Sequence, residues 1–430
     1  MERNLYEQLV KDYNHELTHS GVSGERLAAR LDELSKIGLL ESGGVTRPGY
    51  SAEEKRAKEL VMGWMKDAGL DVTTDGAGNV FGRLKGKSQG SSIVSGSHVD
   101  SVPNGGHFDG PLGVLSALEV AEAWRETGYI PEKPYEVAIF SDEEGSRFKS
   151  SLTGSRAFMG QLKLEEMDSL RDEHGKSFRE VLSDYGSSAE ACLNAGNSRR
   201  DIEAFVEVHI EQGKVLEQED QPVGVVSGIA GPAWLEVTFT GEAGHAGNTP
   251  MAGRRDPLVA ASLFIAAIER FPKQVSDTAV ATVGKLNVHP NGINVIAQEA
   301  KLIVDIRDIF EETRDRLLQL ITDEARKIAA ERNMEVHMNL NAKIKPLPIS
   351  EKLQAKMEDS LSKFDIKPVR IPSGAGHDAM IIGSGIPAAM IFVRSKDGIS
   401  HNPREWTSLN DCVYGVHVLK DFVEGLMTGH

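Results

Sequence analysis

The sequence is short of cysteine, of positive charge and of long apolar runs, and each shortage excludes a class of protein. Cys192 and Cys412 are the only cysteines among 430 residues, too few for a disulfide framework. The 48 Lys and Arg against 64 Asp and Glu leave a net charge of −16, which argues against a nucleic acid or an anionic membrane as a partner. No apolar run approaches the ~20 residues that span a bilayer, and the polar N-terminus lacks the apolar core of a signal peptide. We therefore expect a cytoplasmic protein.

Hydropathy patterns over the first half of the chain predict an α/β sheet. Residues 51–69 have the spacing of an amphipathic helix, with Ser51 as its N-cap and Glu54 three residues later. Apolar strands are expected within 91–100, 135–148 and 202–213, with a helix over 111–128. Strands that alternate with helices imply a largely parallel sheet, and sites in such sheets gather at the carboxyl ends of the strands.

The pattern changes near residue 225. Residues 226–342 have the order strand, helix, strand, strand, helix, strand, which is ferredoxin-like. A chain of 430 residues also exceeds what one hydrophobic core usually serves. We therefore predict two domains: a catalytic α/β domain formed by residues 1–225 and 343–430, and a small α+β domain of residues 226–342 inserted into it.

Two histidines and two aspartates lie among glycines and serines in SGSHVDSVPNGGHFDG, residues 95–110. One histidine among the 13 in the chain says little by itself. His98, however, ends a predicted strand, and Asp100 at i+2 lies on the same side of an extended segment, where a carboxylate can set the imidazole tautomer. Flanking glycines let the backbone bend so that Asp109 can reach inward. We interpret His98 and Asp109 as metal ligands and Asp100 as a support for His98.

Further candidate ligands follow other predicted strands. Asp142, Glu143 and Glu144 end an apolar strand, and three adjacent acids are buried only with compensating cations; a solvated charge run is the alternative. His209 alternates with apolar residues on a strand, and His401 lies in a loop with the sequence GISHNP. This wide spacing excludes a zinc finger or an HExxH motif and favours a two-metal hydrolytic site.

The charges of such a site balance. Two divalent cations bring about +4, Asp109 and Glu144 bring about −2, and a bridging hydroxide leaves roughly +1, which suits an anionic substrate. Metal coordination lowers the pKa of water to roughly 7, so a carboxylate base suffices at neutral pH, and we assign that base to Glu143. Imidazole and carboxylate ligands suit zinc, manganese, cobalt and nickel alike.

The chain resembles a known family. It shares with dinuclear-metal amidohydrolases, in the same order, the motifs SGSHVDSVPNGGHFDG, SDEEGSRF, VEVHIEQG, GHAGNTPM, GAGHDAM and GISHNP. These amidohydrolases are related to the aminoacylase and carboxypeptidase-G2 peptidases. The chain is most similar to N-carbamoyl-L-amino-acid hydrolases and next to allantoate amidohydrolases, over nearly its whole length. The resemblance implies a metallopeptidase-like α/β catalytic domain with an inserted ferredoxin-like dimerisation (lid) domain.

The resemblance also implies roles for individual residues. One metal is bound by His98 and His209 and the other by Glu144 and His401, with Asp109 bridging, Glu143 as the general base and Asp100 orienting His98. The inserted domain pairs with its copy in a homodimer, so that His245 reaches the partner's site and stabilises the oxyanion. The substrate-binding residues are Asn294 and Arg307 for the carboxylate, Gln212 for the polar end, and Gly376.

Without the resemblance, several of these residues are equally consistent with common structural roles. Arg307 lies between Asp305 and Asp308 and can simply pair with either acid, although its planar fork also suits a ligand carboxylate. His245 can be a surface histidine in a glycine-rich turn, and Asn294 can stabilise a turn. His377 and Asp378 are equally consistent with a supporting pair and with a loop cap.

The favoured reaction removes the carbamoyl group of an N-carbamoyl-L-amino acid and releases the L-amino acid, ammonia and carbon dioxide. The stretches GIAGP and MIFVRSKDGISHNPREW resemble carbamoylases. At position 248 this chain has Asn where many relatives have a small residue, which leaves open which substrate side chain is preferred. The alternatives are an allantoate amidohydrolase, another ureido-acid hydrolase, or a non-catalytic metal-binding dimeric scaffold. A scaffold has no need of a base beside Glu144, so Glu143 favours an enzyme.

Overall fold

The computed structural model describes residues 4–198 and 201–429. Its α-helices are α1 Leu5–Val10, α2 Gly24–Ser35, α3 Ala52–Asp67, α4 Pro111–Thr127, α5 Thr153–Phe158, α6 Leu164–Ser169, α7 Phe178–Tyr185, α8 Ala189–Leu193, α9 Val215–Gln218, α10 Pro257–Ile268, α11 Pro272–Val275, α12 Glu311–Glu331, α13 Glu351–Ser362, α14 Asp378–Ile382 and α15 Leu409–Thr428. Short 3-10 helices cover His15–Leu17, Ala195–Ser198 and Lys396–Gly398.

The strands alternate with these helices along the chain. They are β1 Asp71–Thr74, β2 Val80–Leu84, β3 Ser92–His98, β4 Tyr135–Phe140, β5 Ile202–Ile210, β6 Val223–Ile229, β7 Gly231–Thr240, β8 Gly244–His245, β9 Val280–His289, β10 Val295–Ile296, β11 Glu299–Asp308, β12 Glu335–Lys343, β13 Leu347–Pro348, β14 Arg370–Ser373 and β15 Ala388–Val393. The chain divides into two compact units, one formed by residues 1–227, 349–371 and 377–430 and the other by residues 228–348 and 372–376.

The first unit is built on a mixed sheet with the strand order β1-β2-β4-β3-β5-β15-β6. The central strands β4, β3, β5 and β15 are parallel to one another, while β1, β2 and β6 pair antiparallel at the two sides. β3 and β4 are buried on both faces, as expected for strands covered by crossover helices. The fold class predicted from the sequence is thereby confirmed.

Local sequence signals place the helices of this unit as expected. Ser51 caps α3, and its hydroxyl accepts a 3.1 Å hydrogen bond from the Glu54 backbone N–H. α4 begins at Pro111 directly after the site loop and packs against β3 and β5. Its residues from Pro111 to Trp124 are all buried, because α2 and α15 cover its other side.

The second unit has a four-stranded antiparallel sheet in the order β12-β7-β11-β9. Its elements follow the chain order β7, α10, β9, β11, α12, β12, which is the predicted ferredoxin-like order. Alternate residues of β7 and β11 are buried and form an apolar core with α10 and α12. The consecutive strands β6 and β7 belong to different sheets, since the chain leaves the large sheet between Ile229 and Gly231.

Residues 153–193, for which no element was expected, contain the short helices α5 to α8. They form a separate apolar cluster that includes Phe148, Met167 and Phe178. Cys192 is buried in this cluster and Cys412 is buried in α15, and both are free thiols. Within residues 4–198 and 201–429, no helix combines the length and the apolar character needed to cross a membrane.

Candidate metal centre

The carboxyl ends of three adjacent parallel strands bring the candidate ligands together. β3 ends at His98, β5 carries His209, and Glu143 and Glu144 follow the end of β4. Since β4, β3 and β5 are neighbours in the sheet, these side chains meet at one edge, as sites in open parallel sheets do. Two groups of side chains here could each hold a metal ion: His98, Asp109 and His209, and Asp109, Glu144 and His401.

Asp109 belongs to both groups through different oxygens. Its Oδ1 lies 3.1 Å from His209 Nε2 and 3.6 Å from His98 Nε2. Its Oδ2 lies 3.3 Å from His401 Nε2, which is itself 3.5 Å from Glu144 Oε2. A carboxylate whose two oxygens face different ligand groups has the geometry of a bridging ligand between two cations.

The imidazole rings point the correct nitrogen toward Asp109. His98 Nδ1 is 3.1 Å from the Asp100 carbonyl oxygen, and His209 Nδ1 is 2.9 Å from the Ile210 carbonyl oxygen. A carbonyl only accepts, so each Nδ1 carries the proton and each Nε2 is left with a free lone pair. Within the described part of the chain, His98 Nε2 is a buried atom without a hydrogen-bond partner. The donor set of imidazole nitrogens and carboxylate oxygens therefore fits a zinc-like or manganese-like divalent ion.

Asp100 supports both groups from behind. Its Oδ1 lies 3.4 Å from His98 Nδ1. Its two carboxylate oxygens also accept the backbone N–H groups of Glu143 and Glu144 at 3.2 and 3.1 Å. One buried carboxylate thus orients a histidine of the first group and the backbone that carries the acids.

Glu143 differs from Glu144 in its surroundings. Among the described residues it lies outside both ligand groups, and its Oε2 is 3.7 Å from His98 Nε2. Burial, with repulsion from Glu144, Asp378 and Asp100, raises the pKa of Glu143 well above its ordinary value. Such a shift moves a carboxylate toward the range useful to a general base at neutral pH.

The acidic run is buried rather than solvated. Asp142 is fully buried and its Oδ2 accepts a 2.7 Å hydrogen bond from the Thr153 hydroxyl. Burial and the nearby Asp109 raise the pKa of Glu144 to about 7. Burial alone would also favour protonated Asp109, but His209, His401 and His98 hold its pKa well below the ordinary value. The acids of this edge therefore depend on positive charge nearby.

The glycines of the site loop make room for ligands. Gly110 has φ +82°, which an L side chain rarely adopts, and a methyl group there would overlap the His98 ring. Gly106 leaves space in the same way for the Glu405 carboxyl group. The glycine content of residues 95–110 thus reflects close packing as well as the bends predicted from the sequence.

A loop beyond β15 adds polar groups that the sequence did not single out. The Ser400 hydroxyl lies 2.8 Å from Asp109 Oδ2, and Glu405, which is 3% exposed, accepts the backbone N–H groups of Phe108 and Asp109. Gln212, predicted to bind substrate, donates its amide to Asp109 Oδ2 at 2.7 Å. Nothing in the local pattern of Ser400 or Glu405 distinguishes them from ordinary loop residues, apart from their position beside His401.

His377 and Asp378 also lie close to the first group. The His377 ring is buried, with its centroid 4.4 Å from that of His209. Asp378 is fully buried, and its carboxylate oxygens have no hydrogen-bond partner within the described residues. Its burial, with Glu207 nearby, raises its pKa to about 8. This contact with His209 favours a supporting role over a loop cap for His377.

The remaining predicted residues lie in the second unit. His245 in β8 pairs with Val295 in β10, and its Nδ1 accepts the backbone N–H groups of Gly247 and Asn248 at 3.1 and 3.2 Å. The Asn294 carbonyl oxygen accepts the Ala246 N–H at 2.9 Å, so His245 and Asn294 belong to adjoining loops.

Arg307 lies on β11 in the same unit. It pairs with Asp305 at 2.9 and 2.8 Å, and its third nitrogen donates to the Gly374 carbonyl oxygen at 2.5 Å. The ion pair weighed from the sequence therefore forms with Asp305. Gly376 is exposed in the same short segment as Gly374.

A mixed α/β unit with two candidate metal groups sharing one carboxylate defines a candidate dinuclear metallohydrolase. Residues 94–425 match the model of peptidase family M20/M25/M40, and the chain belongs to this family. The resemblance seen in the sequence is thereby confirmed.

Individual members of the family are similar to this chain over nearly their whole length. The chain is 44% identical to an N-carbamoyl-L-amino acid amidohydrolase of Geobacillus stearothermophilus, over 95% of this chain and 100% of the relative. It is 36% identical to an allantoate amidohydrolase of Bacillus subtilis (strain 168), over 91% of this chain and 95% of the relative. The crystal structure of a hydantoinase/carbamoylase family amidase from Burkholderia multivorans superposes with a TM-score of 0.88 at 37% identity, covering 94% and 97% of the two chains.

Proposed function

We propose that this protein is a metal-dependent amidohydrolase that cleaves the carbamoyl group from N-carbamoyl-L-amino acids and releases the L-amino acid, ammonia and carbon dioxide. The observation that carries the proposal is the division of the Asp109 oxygens between two ligand groups, with Glu143 outside both. The 44% identity to an N-carbamoyl-L-amino acid amidohydrolase supports the choice of substrate.

His98 and His209 would hold one divalent ion, Glu144 and His401 the other, and Asp109 both. When bound, two such ions supply Lewis acidity toward water and toward the ureido carbonyl group. Asp100 keeps the His98 ring in the tautomer that leaves Nε2 free. Glu143, excluded from the ligand groups, takes the proton of the attacking water and holds it for the leaving nitrogen.

The second unit offers groups suited to the two ends of the substrate. His245 accepts two backbone N–H groups at Nδ1, so its neutral form carries the proton at Nε2 and can donate it to an oxyanion. Arg307 carries a planar guanidinium whose Nε and Nη2 pair with Asp305 on the same strand, and a substrate carboxylate would bind its remaining N–H groups. Asn294 adjoins His245, and Gly376 would bind substrate in the exposed segment whose Gly374 carbonyl Arg307 contacts. Gln212 would turn from Asp109 to the polar end of the substrate.

We further propose that residues 226–342 form an inserted dimerisation and lid domain, with residues 1–225 and 343–430 as the catalytic domain. On α10, Leu258, Val259 and Leu263 are 39–45% exposed although Phe264 on the other face is fully buried. The edge strand β9 also exposes apolar side chains, among them Val280 at 51%. An apolar helix face and an unpaired strand edge on one small unit are suited to an isologous contact with a second copy. His245 would then serve the partner's metal centre.

The alternative substrate is allantoate, which is also a ureido acid, and the 36% identity to an allantoate amidohydrolase supports it. A non-catalytic metal-binding scaffold is the least favoured alternative, because Glu143 is buried with no role as a ligand in either group. A cytoplasmic location remains our expectation from the sequence.

The test is to strip the protein of metal, restore zinc, manganese, cobalt or nickel one at a time, and measure ammonia released from a panel of N-carbamoyl-L-amino acids and from allantoate. We expect activity with at least one ion and higher kcat/KM for a carbamoyl amino acid than for allantoate. Higher kcat/KM for allantoate would support the alternative, and no activity with any ion on any ureido acid would contradict the proposal.

A further inference from the structure

Glu405 occupies an unusual position for a glutamate in a surface loop. It follows His401 by four residues and is 3% exposed. Its Oε1 accepts the backbone N–H of Phe108 at 2.8 Å and that of Asp109 at 3.1 Å. Its Oε2 lies 2.9 Å from the Ser400 hydroxyl. A buried carboxylate is stable only where such partners satisfy its oxygens, so this loop and the site loop are built to meet.

Ser400 connects Glu405 to the bridging carboxylate itself. Its hydroxyl lies 2.8 Å from Asp109 Oδ2 as well as 2.9 Å from Glu405 Oε2, and the Gln212 amide reaches it at 3.1 Å. A serine hydroxyl has one proton to donate, so the two carboxylates compete for it. Glu405 therefore determines how strongly Ser400 engages the Asp109 oxygen that faces His401.

Packing around Glu405 shows that its carboxyl group fits closely against the site loop. Position 106 accommodates glycine, because a Cβ there would overlap the Glu405 carboxyl group. Next to Glu405, the Trp406 ring packs edge-on against Phe108 with centroids 5.8 Å apart. The loop that carries His401 is thus attached to the loop that carries Asp109 by three hydrogen bonds and an aromatic contact.

We propose that Glu405 is a positioning residue for the metal centre. Through the backbone N–H groups of Phe108 and Asp109, and through Ser400, it holds the Asp109 carboxylate in the orientation that gives one oxygen to each ligand group. Among the described residues, Glu405 lies outside both ligand groups. The inference rests on the proposed function in that both ligand groups are taken to bind cations.

The experiment measures cation binding without substrate. Wild type, Glu405→Gln, Glu405→Ala and Ser400→Ala are stripped of metal and titrated with zinc in competition with a chromophoric chelator, and kcat and KM are measured separately. Ser360→Ala is the matched control for Ser400, because the buried Ser360 also donates to a carboxylate, that of Asp421, at 2.7 Å. Glu119→Gln is the control for Glu405, because Glu119 is a buried acid that accepts a backbone N–H, from Ser23 at 2.7 Å.

We expect zinc affinity to fall roughly 10–100-fold in Glu405→Ala, as for other outer-sphere partners of metal ligands. Glu405→Gln keeps an acceptor for the backbone N–H groups but offers Ser400 an amide donor, so its loss should be smaller. Ser400→Ala should lose less zinc affinity than Glu405→Ala. In these variants kcat should fall, while KM stays within about 2-fold of the wild-type value. Urea unfolding of the metal-free proteins checks that the variants are folded and separates this effect from general destabilisation.

Wild type binding two zinc ions, with Glu405→Ala binding them equally tightly, would overturn the positioning role and leave the proposed function intact. Equal affinity losses in the Ser360 and Glu119 controls would also overturn it, because the effect would then be structural. Wild type binding no zinc, manganese, cobalt or nickel would overturn both this inference and the proposed function.

Discussion

Gly110 lies directly against the imidazole ring of His98, with its backbone at φ +82° and no space for a Cβ. The same residue precedes Pro111, the first residue of α4. One glycine therefore allows three things together: the turn out of the site loop, the start of a buried helix and the approach of a candidate metal ligand. A larger residue would have to displace His98 from Asp109.

Replacing Gly110 by alanine should reduce zinc affinity at least 10-fold and activity in proportion, because the methyl group displaces the His98 ring. Chelator competition and ammonia release measure the two effects. Gly128→Ala is the control at the other end of α4, since Gly128 also has a positive φ, +70°, but no atom within 4 Å of its Cβ position among the described residues. It should cost about 1–2 kcal/mol of stability without changing zinc affinity. Equal zinc affinities in Gly110→Ala and Gly128→Ala would show that a Cβ at position 110 does not displace the His98 ring.

Much of the metal centre was predictable because its residues lie where general rules place them. His98 and His209 belong to strands with clear apolar patterns, and the carboxyl ends of parallel strands converge. Asp109 and His401 lie in loops; they were candidate ligands from the sequence, but only the resemblance to a family assigned them to particular metals. The ferredoxin-like prediction for the second unit followed from the order of its strands and helices, and β7 and β11 bury alternate residues in the structure.

The supporting residues were not predictable for a physical reason. Glu405 contacts a backbone segment almost 300 positions earlier in the chain, and no periodicity records such a contact. The role of Gly106 depends on Glu405 and is hidden for the same reason. The separation of β6 from β7 depends on where the chain crosses between sheets, which a continuous apolar pattern does not show.

Glu143 and Glu144 are neighbours in sequence but should separate two functions. Glu143→Gln should lower kcat at least 100-fold, because proton transfer by a positioned carboxylate contributes this much or more, while zinc affinity stays within about 3-fold. Glu144→Gln should weaken binding of the second zinc ion. Zinc titration and ammonia release, measured on the same preparations, distinguish them. Loss of zinc from Glu143→Gln would place Glu143 among the ligands instead.

Arg307→Lys tests recognition of the substrate carboxylate. The variant keeps the positive charge but loses the planar fork, so KM should rise roughly 10-fold or more with a smaller change in kcat. A carboxamide analogue of the substrate should be hydrolysed poorly by both proteins and show no such difference. Arg394→Lys is the control, because Arg394 pairs with Asp411 and Asp220 in the first unit. An unchanged KM for the natural carboxylate would remove Arg307 from the binding site.

His417 predicts a dependence of stability on pH that is unrelated to the metal centre. Burial lowers its pKa from 6.5 to about 4, and its Nε2 donates to the Leu17 carbonyl oxygen at 2.8 Å, with His19 stacked on the ring and Lys420 nearby. Between these two values the unfolded state binds more protons, so stability falls as pH decreases below 6.5.

From pH 7 to pH 5 this histidine should contribute a loss of about 2 kcal/mol in the free energy of unfolding. His417→Gln keeps an amide donor for Leu17 but does not titrate. Urea unfolding of both metal-free proteins at the two pH values should therefore show a loss smaller by about 2 kcal/mol in the variant. The same pH dependence in both proteins would mean that His417 already titrates normally in the folded state.

His245 allows the dimer proposal to be tested by complementation. If it acts on the partner's metal centre, His245→Ala and Glu143→Gln homodimers should both be nearly inactive. In a mixed dimer, the site that keeps Glu143 receives an intact His245 from the other subunit, while the second site lacks both groups. Random exchange makes about half of the dimers mixed, each with one competent site, so about a quarter of wild-type activity should return. If His245 instead acts within its own subunit, both sites of a mixed dimer lack one group and no activity returns.

Leu263→Glu places a charge on the exposed face of α10, so it should abolish both the dimer seen by sedimentation and the recovery of activity. Leu164→Glu changes a similarly exposed leucine of the first unit and should leave the dimer and the recovery unchanged.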